Sequence, residues 1–288
     1  MKKKKISLLD VIVYLILIAL SITIIYPMLN VIAVSFSDNF NVMARTVTIF
    51  PKGFNLDAFH YISEDGKVFR AFGYTVYYTA LGVLVNVLMT SLMAYPLSKK
   101  DLIGRKVYVK MVMFTMFFSG GMIPSFLLVK ELHMLDTVWS LVIPGAIVTM
   151  YLLVMITFFQ SIPDSLYEAA YLDGASEMQV FIKIAMPLSK ASIASIALFN
   201  FRSYWNTYYT PMLYLNDKKK FPLQLILRSM LLEGEQTTGT SPIKEELLIT
   251  PTSVKYATIV LTMVPVMIVY PFAQKYFVKG VMIGSVKG

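Results

Sequence analysis

The sequence contains no cysteine and only two histidines, His60 and His133. The missing cysteines exclude disulfide bonds, thiolate metal ligands and cysteine nucleophiles, and two histidines are too few to indicate an imidazole metal site. Charged residues make up only 15% of the 288 residues, whereas hydrophobic residues make up 57%. Soluble domains have about 25% charged and about 45–50% apolar residues. A soluble fold could not bury this apolar excess, so we expect a membrane protein.

Six apolar stretches reach the roughly 20 residues that an α-helix needs to cross the hydrocarbon core. We predict one all-α integral membrane domain over residues 1–288, and the first helix is expected to be retained rather than cleaved as a signal peptide. The predicted transmembrane helices are 11–34, 72–97, 109–129, 140–160, 191–214 and 256–277. The segment Ser119-Gly120-Gly121 should weaken or kink the third helix. Three prolines are expected to kink their helices: Pro27, Pro144 and Pro265.

The formal net charge of +9 is interpreted as a cytoplasmic excess of lysine and arginine rather than as a nucleic-acid-binding surface. The basic clusters are Lys2–Lys5 before the first helix, Lys99, Lys100, Arg105 and Lys106 after the second, and Lys275, Lys279 and Lys287 at or beyond the end of the sixth. With six crossings all three clusters fall on one side, which predicts a plasma-membrane protein with both termini in the cytoplasm. Lys218–Lys220 would then lie outside, although long outer loops are only weakly governed by this rule.

None of the 17 Asp and Glu residues lies within the six predicted helices. Carriers that are driven by protons or sodium ions usually place carboxylates in the membrane to bind the ion. The sequence therefore indicates that the energy for any transport comes from another source.

The second predicted helix carries a polar stripe along one face. Four polar residues share an arc of about 60°, with Gly82 in the same stripe: Thr75, Thr79, Asn86 and Thr90. Such a face either lines a wet passage or packs against a neighbouring helix, where Thr, Asn and Gly are common. Packing is the favoured interpretation for each residue alone, and Asn86 is kept as a candidate for the translocation path.

The fifth predicted helix is polar on both sides, so it must be enclosed by protein or line a cavity rather than face lipid. Its candidate path residues are Arg202, Tyr204, Trp205, Asn206, Tyr208 and Tyr209. An intramembrane arginine costs at least about 2.5 kcal/mol unless it is paired or hydrated. Because the predicted helices hold no carboxylate, the partner of Arg202 would be a carbonyl group, water, another chain or an anionic substrate. The aromatic residues either stack on sugar rings or form an interfacial belt.

The loop 161–190, between the fourth and fifth helices, is acidic although it is predicted to be cytoplasmic. It holds Asp164, Glu168, Asp173 and Glu177 against Lys183 and Lys190. The pattern predicts two short helices around a turn at Gly174, the second of which ends at Met186, before Pro187. Apolar and acidic residues beside this turn would form a compact patch that fits a basic groove on another protein.

Six residues of this loop match a known motif in type and spacing: Glu168, Ala169, Ala170, Gly174, Ile184 and Pro187. They resemble the cytoplasmic coupling motif of binding-protein-dependent ABC importer permeases, from which Met186 and Ala191 depart. Other segments are similar to the carbohydrate-uptake, maltose-transporter type of these permeases: Phe50–Leu56, Ala94–Lys99 with Gly104-Arg105, Trp205-Asn206 and the tail Val281–Gly288. Phe118–Pro124 resembles a subgroup that handles oligosaccharides from complex polysaccharides.

This resemblance implies an alternating-access importer with two permease subunits, two ATPase subunits and an extracellular solute-binding protein that delivers an oligosaccharide. The chain would be one permease of a heterodimer and not an enzyme. It has no GxxxxGK[ST] phosphate-binding sequence, so it is not itself the ATPase of this type. ATP and magnesium would bind to the partner ATPases, and this chain would bind no cofactor or metal. The implied ATPase-coupling residues are Glu168, Ala169, Ala170, Asp173, Gly174, Ala175 and Pro187. Glu168 is expected to pair with an ATPase arginine.

Two alternatives stay open. One is an ABC importer of a solute other than a sugar, and the other, less favoured, is a stand-alone membrane carrier. A membrane enzyme lacks an evident catalytic constellation, because both histidines fall in predicted outer loops. Arg202 and the subgroup resemblance also allow an acidic oligosaccharide, such as a fragment that contains uronic acid.

Overall fold

A computed structural model describes residues 7–236 and 251–285 of the chain. Within these ranges the chain is helical and contains no β-strand, which confirms the predicted all-α class. Two compact units are present: Met1–Phe69 with Leu227–Val264, and Arg70–Ile226 with Pro265–Gly288. The predicted basic residues Lys2–Lys5 and Lys287 lie outside the described residues, as do residues 286–288 of the predicted tail motif.

The described residues form the following α-helices in chain order. They are α1 (Leu8–Ser35), α2 (Asn39–Met43), α3 (Asp57–Asp65), α4 (Lys67–Ser98), α5 (Arg105–Phe117), α6 (Met122–Glu131), α7 (Trp139–Val142), α8 (Thr149–Gln160), α9 (Asp164–Leu172), α10 (Glu177–Val180), α11 (Met186–Leu188), α12 (Lys190–Asn206), α13 (Tyr209–Tyr214), α14 (Leu223–Gln236) and α15 (Pro251–Ser285). A π-helical turn (Phe181–Ala185) joins α10 to α11, and a 3₁₀ turn (Lys218–Lys220) follows α13.

Several of these helices suit a membrane. In the described part of the chain, α1, α4 and the Thr252–Pro271 part of α15 are each long and apolar enough to cross a membrane alone. Up to five spans result if the bent pairs α5–α6 and Glu177–Leu188 with α12 each count as one. The first, second and sixth predicted helices correspond to the three long helices, and Pro27 and Pro265 lie inside α1 and α15.

The third predicted helix, 109–129, is not continuous. α5 ends at Phe117, α6 begins at Met122, and the two helices are bent by 112° relative to each other. Gly121 has a φ of +85°, a conformation that residues with side chains rarely adopt. The expected weakening at Ser119-Gly120-Gly121 is therefore a complete break, because the two glycines let the backbone leave the helical region.

The fourth predicted helix, 140–160, is also interrupted. α7 ends at Val142 and α8 begins at Thr149. The expected kink at Pro144 is wrong, since the helix stops before this residue. Proline has no N–H to continue the helix, and the following Gly145 has a poor helix propensity, so the two residues together favour a break.

The fifth predicted helix, 191–214, is divided between α12 and α13. α12 ends at Asn206, and Thr207 takes an extended conformation with a ψ of 132°. The side-chain Nδ2 of Asn206 donates a hydrogen bond to the carbonyl oxygen of Arg202 (2.8 Å). Asparagine competes with the backbone through such bonds, which favours a helix end at this position.

An apolar core in the second unit joins the end of α4 to α8, the loop 161–190 and α12. Its buried residues are Ala94, Tyr95, Leu97, Leu152, Met155, Ile156, Phe159, Ile162, Tyr167, Val180, Phe181, Ala185 and Ile196. Tyr95 packs against several aromatic rings of this core, and its ring centroid lies 5.1 Å from that of Phe181 and 5.9 Å from that of Phe159. The loop is therefore part of the folded core rather than a loose connection.

Asp136 joins the segment after α6 to the segment after α13. Its Oδ1 accepts hydrogen bonds from the backbone N–H groups of Asn216 (2.7 Å) and Asp217 (2.9 Å). The N–H groups of Asp217 and Asn216 hold the pKa of the Asp136 carboxyl below its usual value. Lys220 Nζ also donates to the carbonyl oxygen of Asp136 (2.8 Å), so the two segments are held together by side-chain and backbone groups.

In the first unit, the segment Phe50–Phe54 packs against the residues that follow α1. The backbone N–H of Lys52 donates to Ser37 Oγ (3.0 Å), and the backbone N–H of Asp38 donates to the Lys52 carbonyl oxygen (3.0 Å). Gly53, with a φ of +63°, lies so close to Asp38 that a Cβ atom there would overlap the carboxylate. Both the backbone conformation and the close approach therefore require glycine at this position.

We expect Gly53→Ala to destabilise the protein more than Gly66→Ala. The two glycines have nearly the same φ (+63° and +65°), so each substitution should cost about 1–2 kcal/mol of backbone strain. A Cβ atom at Gly66 would meet nothing within 4 Å, whereas one at Gly53 would overlap Asp38. Thermal unfolding of the purified protein in detergent measures the difference, and equal shifts for the two variants would contradict the close approach to Asp38.

Candidate coupling elbow and internal cavity

We call the loop 161–190 the elbow; its first helix, α9, ends at Leu172 and is followed by a turn at Gly174. The N–H of Gly174 donates to the Tyr171 carbonyl oxygen (3.0 Å), and the N–H of Ala175 donates to the Ala170 carbonyl oxygen (3.0 Å). This pair of bonds is a Schellman motif, in which the residue after the C-cap takes the left-handed conformation. Gly174 has a φ of +77°, which confirms the turn predicted at this residue.

The second half of the elbow begins with a capping box. Ser176 Oγ accepts the N–H of Gln179, and the Gln179 side chain accepts the N–H of Ser176. The helix was expected to end at Met186, but it continues through Pro187 to Leu188, after the π-helical turn. A proline inside a helix removes one hydrogen bond and clashes with the carbonyl four residues earlier. The widened turn directly before Pro187 accommodates this change.

The predicted ATPase-coupling residues divide into an exposed set and a set that anchors the elbow. Glu168, Ala169, Asp173, Gly174 and Pro187 are exposed. Ala170 and Ala175 are partly buried and pack against the apolar core. Leu172, at the tip of the elbow, is 88% exposed. The elbow thus presents an acidic and apolar surface on a fixed base.

A second attachment of the elbow was not found by sequence reasoning. Glu177 Oε1 accepts a hydrogen bond from the Tyr171 hydroxyl (2.8 Å), and Oε2 accepts one from the Tyr95 hydroxyl (3.0 Å). These bonds join the end of α4 to α9 and α10. The signal was present, because Tyr95 and Lys99 belong to a segment with a family resemblance, but their partners lie far away along the chain.

Tyr167 fixes the base of α9. Its side chain is buried in the core, and its hydroxyl donates to the Phe159 carbonyl oxygen (3.4 Å). Burial raises the pKa of Tyr167 to about 12, so the phenol is neutral at physiological pH.

The interruptions of the third, fourth and fifth predicted helices meet at one cavity of about 490 Å³. Its lining comes from α4, from the three breaks and from the segment before α14. The lining residues are Thr75, Tyr78, Ser119, Gly121, Met122, Ser125, Leu141, Pro144, Gly145, Val148, Asn200, Ser203, Tyr204, Thr207, Tyr209, Thr210, Pro211, Leu213, Tyr214 and Pro222. Non-helical backbone at membrane depth is tolerated where it is buried in protein or lines a water-filled cavity. All three breaks therefore lie beside a cavity, where non-helical backbone is tolerated.

Asn86 connects three elements around this cavity. It is fully buried, its Nδ2 donates to the Gly145 carbonyl oxygen (2.9 Å), and its Oδ1 accepts a bond from Asn200 Nδ2 (2.7 Å). Thr90 Oγ1 donates more weakly to the same oxygen (3.4 Å). Thr75 Oγ1 accepts the backbone N–H of Leu223 (2.8 Å). These contacts agree with the packing interpretation of the polar stripe.

The aromatic candidates of the fifth predicted helix occupy different environments. Tyr204 and Tyr209 line the cavity, and the Tyr209 hydroxyl contacts the sulfur of Met122. Trp205 is only 2% exposed and lies between Phe72 and Phe201, away from the cavity lining. Tyr208 is exposed and does not line the cavity.

Arg202 and Asn206 lie on the exposed side of α12 and are not part of the cavity lining. In the described part of the chain, no carboxylate lies within ion-pair distance of Arg202. No group of three or more His, Asp or Glu side chains among the described residues could hold a metal ion.

Interrupted helices around an internal cavity, together with an exposed elbow, are typical of a membrane transport protein. Residues 88–283 match the family described as "Binding-protein-dependent transport system inner membrane component". The chain belongs to this family, whose members are non-catalytic permease subunits of ABC transporters in the plasma membrane. The predicted family and the prediction that the chain is not an enzyme are confirmed.

The similarity extends over nearly the whole chain. It is 42% identical to the polygalacturonan/rhamnogalacturonan transport system permease protein YtcP of Bacillus subtilis (strain 168), over 98% of this chain and 99% of the relative. It is also 42% identical to the protein LplC of the same strain, over 92% of this chain and 90% of the relative. A chain from the crystal structure of a bacterial ABC transporter involved in the import of the acidic polysaccharide alginate is 30% identical. This match has a TM-score of 0.88 and covers 96% of this chain and 99% of that chain.

We expect Gly82→Ala to destabilise the protein by displacing the Tyr204 ring. A Cβ atom at Gly82 would lie 2.5–2.7 Å from ring carbons of Tyr204, closer than real contacts allow. Gly73→Ala is the matched control on α4, because a Cβ atom there would meet nothing within 4 Å. The control should be neutral or stabilising, since alanine favours a helix over glycine by about 1 kcal/mol.

Thermal unfolding in detergent measures both substitutions. In a Tyr204→Ala background, the penalty of Gly82→Ala should largely disappear because the two side chains no longer meet. A penalty of the same size in both backgrounds would show that the ring is not its cause.

Proposed function

We propose that this chain is one permease subunit of an ABC importer that takes up oligosaccharides delivered by an extracellular solute-binding protein. A second permease subunit would complete the path, and two ATPase subunits would bind ATP and magnesium and drive the transport. The family supports the general assignment. The observation that carries the mechanism is the elbow, which exposes Glu168 and Leu172 on a base packed into the core.

The proposed topology has six crossings and places both termini in the cytoplasm. The crossings would be α1, α4, α5 with α6, α7 with α8, α12 with α13, and α15. Contacts between the first basic loop and the elbow support a common side for both: Lys99 Nζ donates to the Tyr171 hydroxyl (3.2 Å), and Lys100 lies 3.4 Å from Asp164. A cytoplasmic side for the basic residues places the elbow where ATPase subunits can reach it.

The surface chemistry of the elbow supports the proposed docking on an ATPase subunit. Glu168, Asp173 and the apolar tip at Leu172 are all exposed, and no cation in the described part of the chain is paired with Glu168. A groove with an arginine would complement this surface, because a partly desolvated arginine–carboxylate pair is directional and strong. The Schellman motif at Gly174 keeps the tip in one orientation, so that a movement of the ATPase is passed to the helices.

An oligosaccharide is the substrate class that the relatives support. YtcP is named for polygalacturonan and rhamnogalacturonan transport, and the similar solved transporter imports alginate. The cavity offers hydroxyl, amide and aromatic groups, which suit sugar hydroxyls and the C–H faces of sugar rings. The names of the relatives and the exposed Arg202 favour an acidic oligosaccharide. The alternatives are an importer of a non-sugar solute and a stand-alone carrier.

We expect Glu168→Lys to abolish oligosaccharide uptake while the protein still inserts into the membrane. A lysine at this position would repel a basic groove and leave the arginine of the ATPase unpaired. Glu64→Lys is a control with the same charge change at an exposed glutamate on α3. Uptake by cells and co-purification of an ATPase subunit are the measurements, and normal uptake in the Glu168→Lys variant would count against the elbow as the docking site.

Arg202→Met tests the substrate charge. If Arg202 neutralises uronate groups, uptake of a uronate oligosaccharide should fall roughly 10- to 150-fold, as expected for the loss of one charge-assisted contact of about 1.5–3 kcal/mol. Uptake of a neutral oligosaccharide of the same length should change little. Equal losses for both sugars would exclude a charge-reading role for Arg202.

A further inference from the structure

Lys99 directly follows α4, and its ammonium group is surrounded by aromatic rings. Its Nζ lies 3.7 Å from the ring centroid of Tyr167, 4.9 Å from that of Tyr95 and 5.5 Å from that of Tyr171. A cation within about 6 Å of a ring centroid is attracted by the face of the ring. A single lysine therefore interacts with one tyrosine from α4 and two from α9.

The hydrogen bonds of Glu177 close the same group of residues. Lys99 Nζ donates to the Tyr171 hydroxyl oxygen, and the Tyr171 and Tyr95 hydroxyls each donate to one oxygen of Glu177. We call these five residues the Lys99 cluster: Tyr95, Lys99, Tyr167, Tyr171 and Glu177. The positive charge of Lys99 also lies at the C-terminal end of α4, where the helix dipole favours a cation.

The Lys99 cluster supplies a connection that the polypeptide chain does not. The elbow continues directly from α8 and into α12, so a displacement of the elbow reaches those helices through the backbone. α4 is remote in sequence and is reached only through side chains. The exposed pair of Lys100 and Asp164 (3.4 Å) contributes little, because exposed ion pairs are worth about 0–1 kcal/mol. Beside the apolar packing of Tyr95 on Phe181, the half-buried Lys99 is the stronger polar attachment.

α4 also reaches the cavity. It runs for 32 residues from Lys67 to Ser98, and Thr75 and Tyr78 in its first half line the cavity. Asn86, further along the same helix, holds the break at Gly145. A helix fixed to the elbow at its end would therefore move a wall of the cavity when the elbow moves.

We infer that Lys99 is a positioning residue that fastens α4 to the elbow, so that α4 and α9 move as one body when ATPase subunits displace the elbow. The inference rests on the proposed docking of the elbow on an ATPase. It gives the Ala94–Lys99 segment a role in coupling ATP hydrolysis to movement of the cavity wall.

The first test uses the complete transporter, with its partner subunits and binding protein, reconstituted in lipid vesicles. Lys99→Met keeps the length of the side chain but removes the charge, and it should lower the oligosaccharide transported per ATP hydrolysed about tenfold. Co-purification of the ATPase subunits should be unchanged. Lys99→Arg should restore most of the coupling, because arginine also binds to aromatic faces. Lys100→Met, the matched control, should stay within about twofold of the unsubstituted protein.

The second test measures the connection directly. Since the chain has no cysteine, Leu92→Cys on α4 and Leu166→Cys on α9 can carry two spin labels in a complex with cysteine-free partner subunits, and both side chains are exposed. With Lys99 present, the distance distribution between the labels should be narrow and unchanged by ATP. With Lys99→Met, it should broaden or shift when ATP is added.

Two results would overturn the inference: coupling that is unaffected by Lys99→Met, or a distance that changes with ATP as much when Lys99 is present as when it is replaced. Failure of the proposed function has a different signature. In that case the unsubstituted complex would transport no oligosaccharide. The change in the distance between the labels on addition of ATP would still show whether Lys99 holds α4 to the elbow.

Discussion

In a lipid environment every backbone N–H and C=O group needs a partner within the protein, and the rest of this structure depends on that constraint. The long helices α1, α4 and α15 satisfy it through their own hydrogen bonds. The broken helices cannot, and residues of all three breaks line one cavity. A backbone carbonyl without a partner would be costly at a break, and the carbonyl of Gly145 has one, because it accepts a hydrogen bond from the buried amide of Asn86. Asn86 is in turn held by Asn200, so one polar cluster on α4 and α12 supports the break in the fourth predicted helix.

Under the proposed function the elbow meets a different requirement, since a docking surface has to be exposed without losing its shape. Apolar packing supplies the base: Tyr95, Phe159 and Phe181 form an aromatic cluster that the elbow shares with α4 and α8. The Schellman motif at Gly174 then sets the direction of the tip with backbone bonds alone. Side chains such as that of Leu172 are consequently free to meet a partner, and a force on the tip is opposed by a packed core rather than absorbed by a flexible loop.

The sequence predicted the features that depend on residues close together in the chain. It missed those that depend on contacts between distant segments. Uniform apolar runs identified α1, α4 and α15, and the local requirement for a left-handed residue identified the turn at Gly174. Apolar composition could not distinguish a continuous helix from a broken one, so the gap at Pro144 was taken for a kink. That gap is stabilised by Asn86 from a distant helix, which no local pattern reveals. The surroundings of Lys99 were missed for the same reason, because its tyrosine partners lie on two separate helices.

The described lining of the cavity carries no charge, and this limits which parts of a substrate it can bind. The lining side chains in the described part of the chain are neutral, and Arg202 lies on the exposed side of α12. A cavity of about 490 Å³ with hydroxyl, amide and aromatic groups suits neutral parts of a sugar, and a carboxylate inside it would meet no cation of the lining. An acidic oligosaccharide would therefore need its charge balanced outside this cavity. Under the proposed function, exposed Arg202 is one cation of this chain that would balance such a charge, and a second permease subunit packed beside it would make its face part of a shared path.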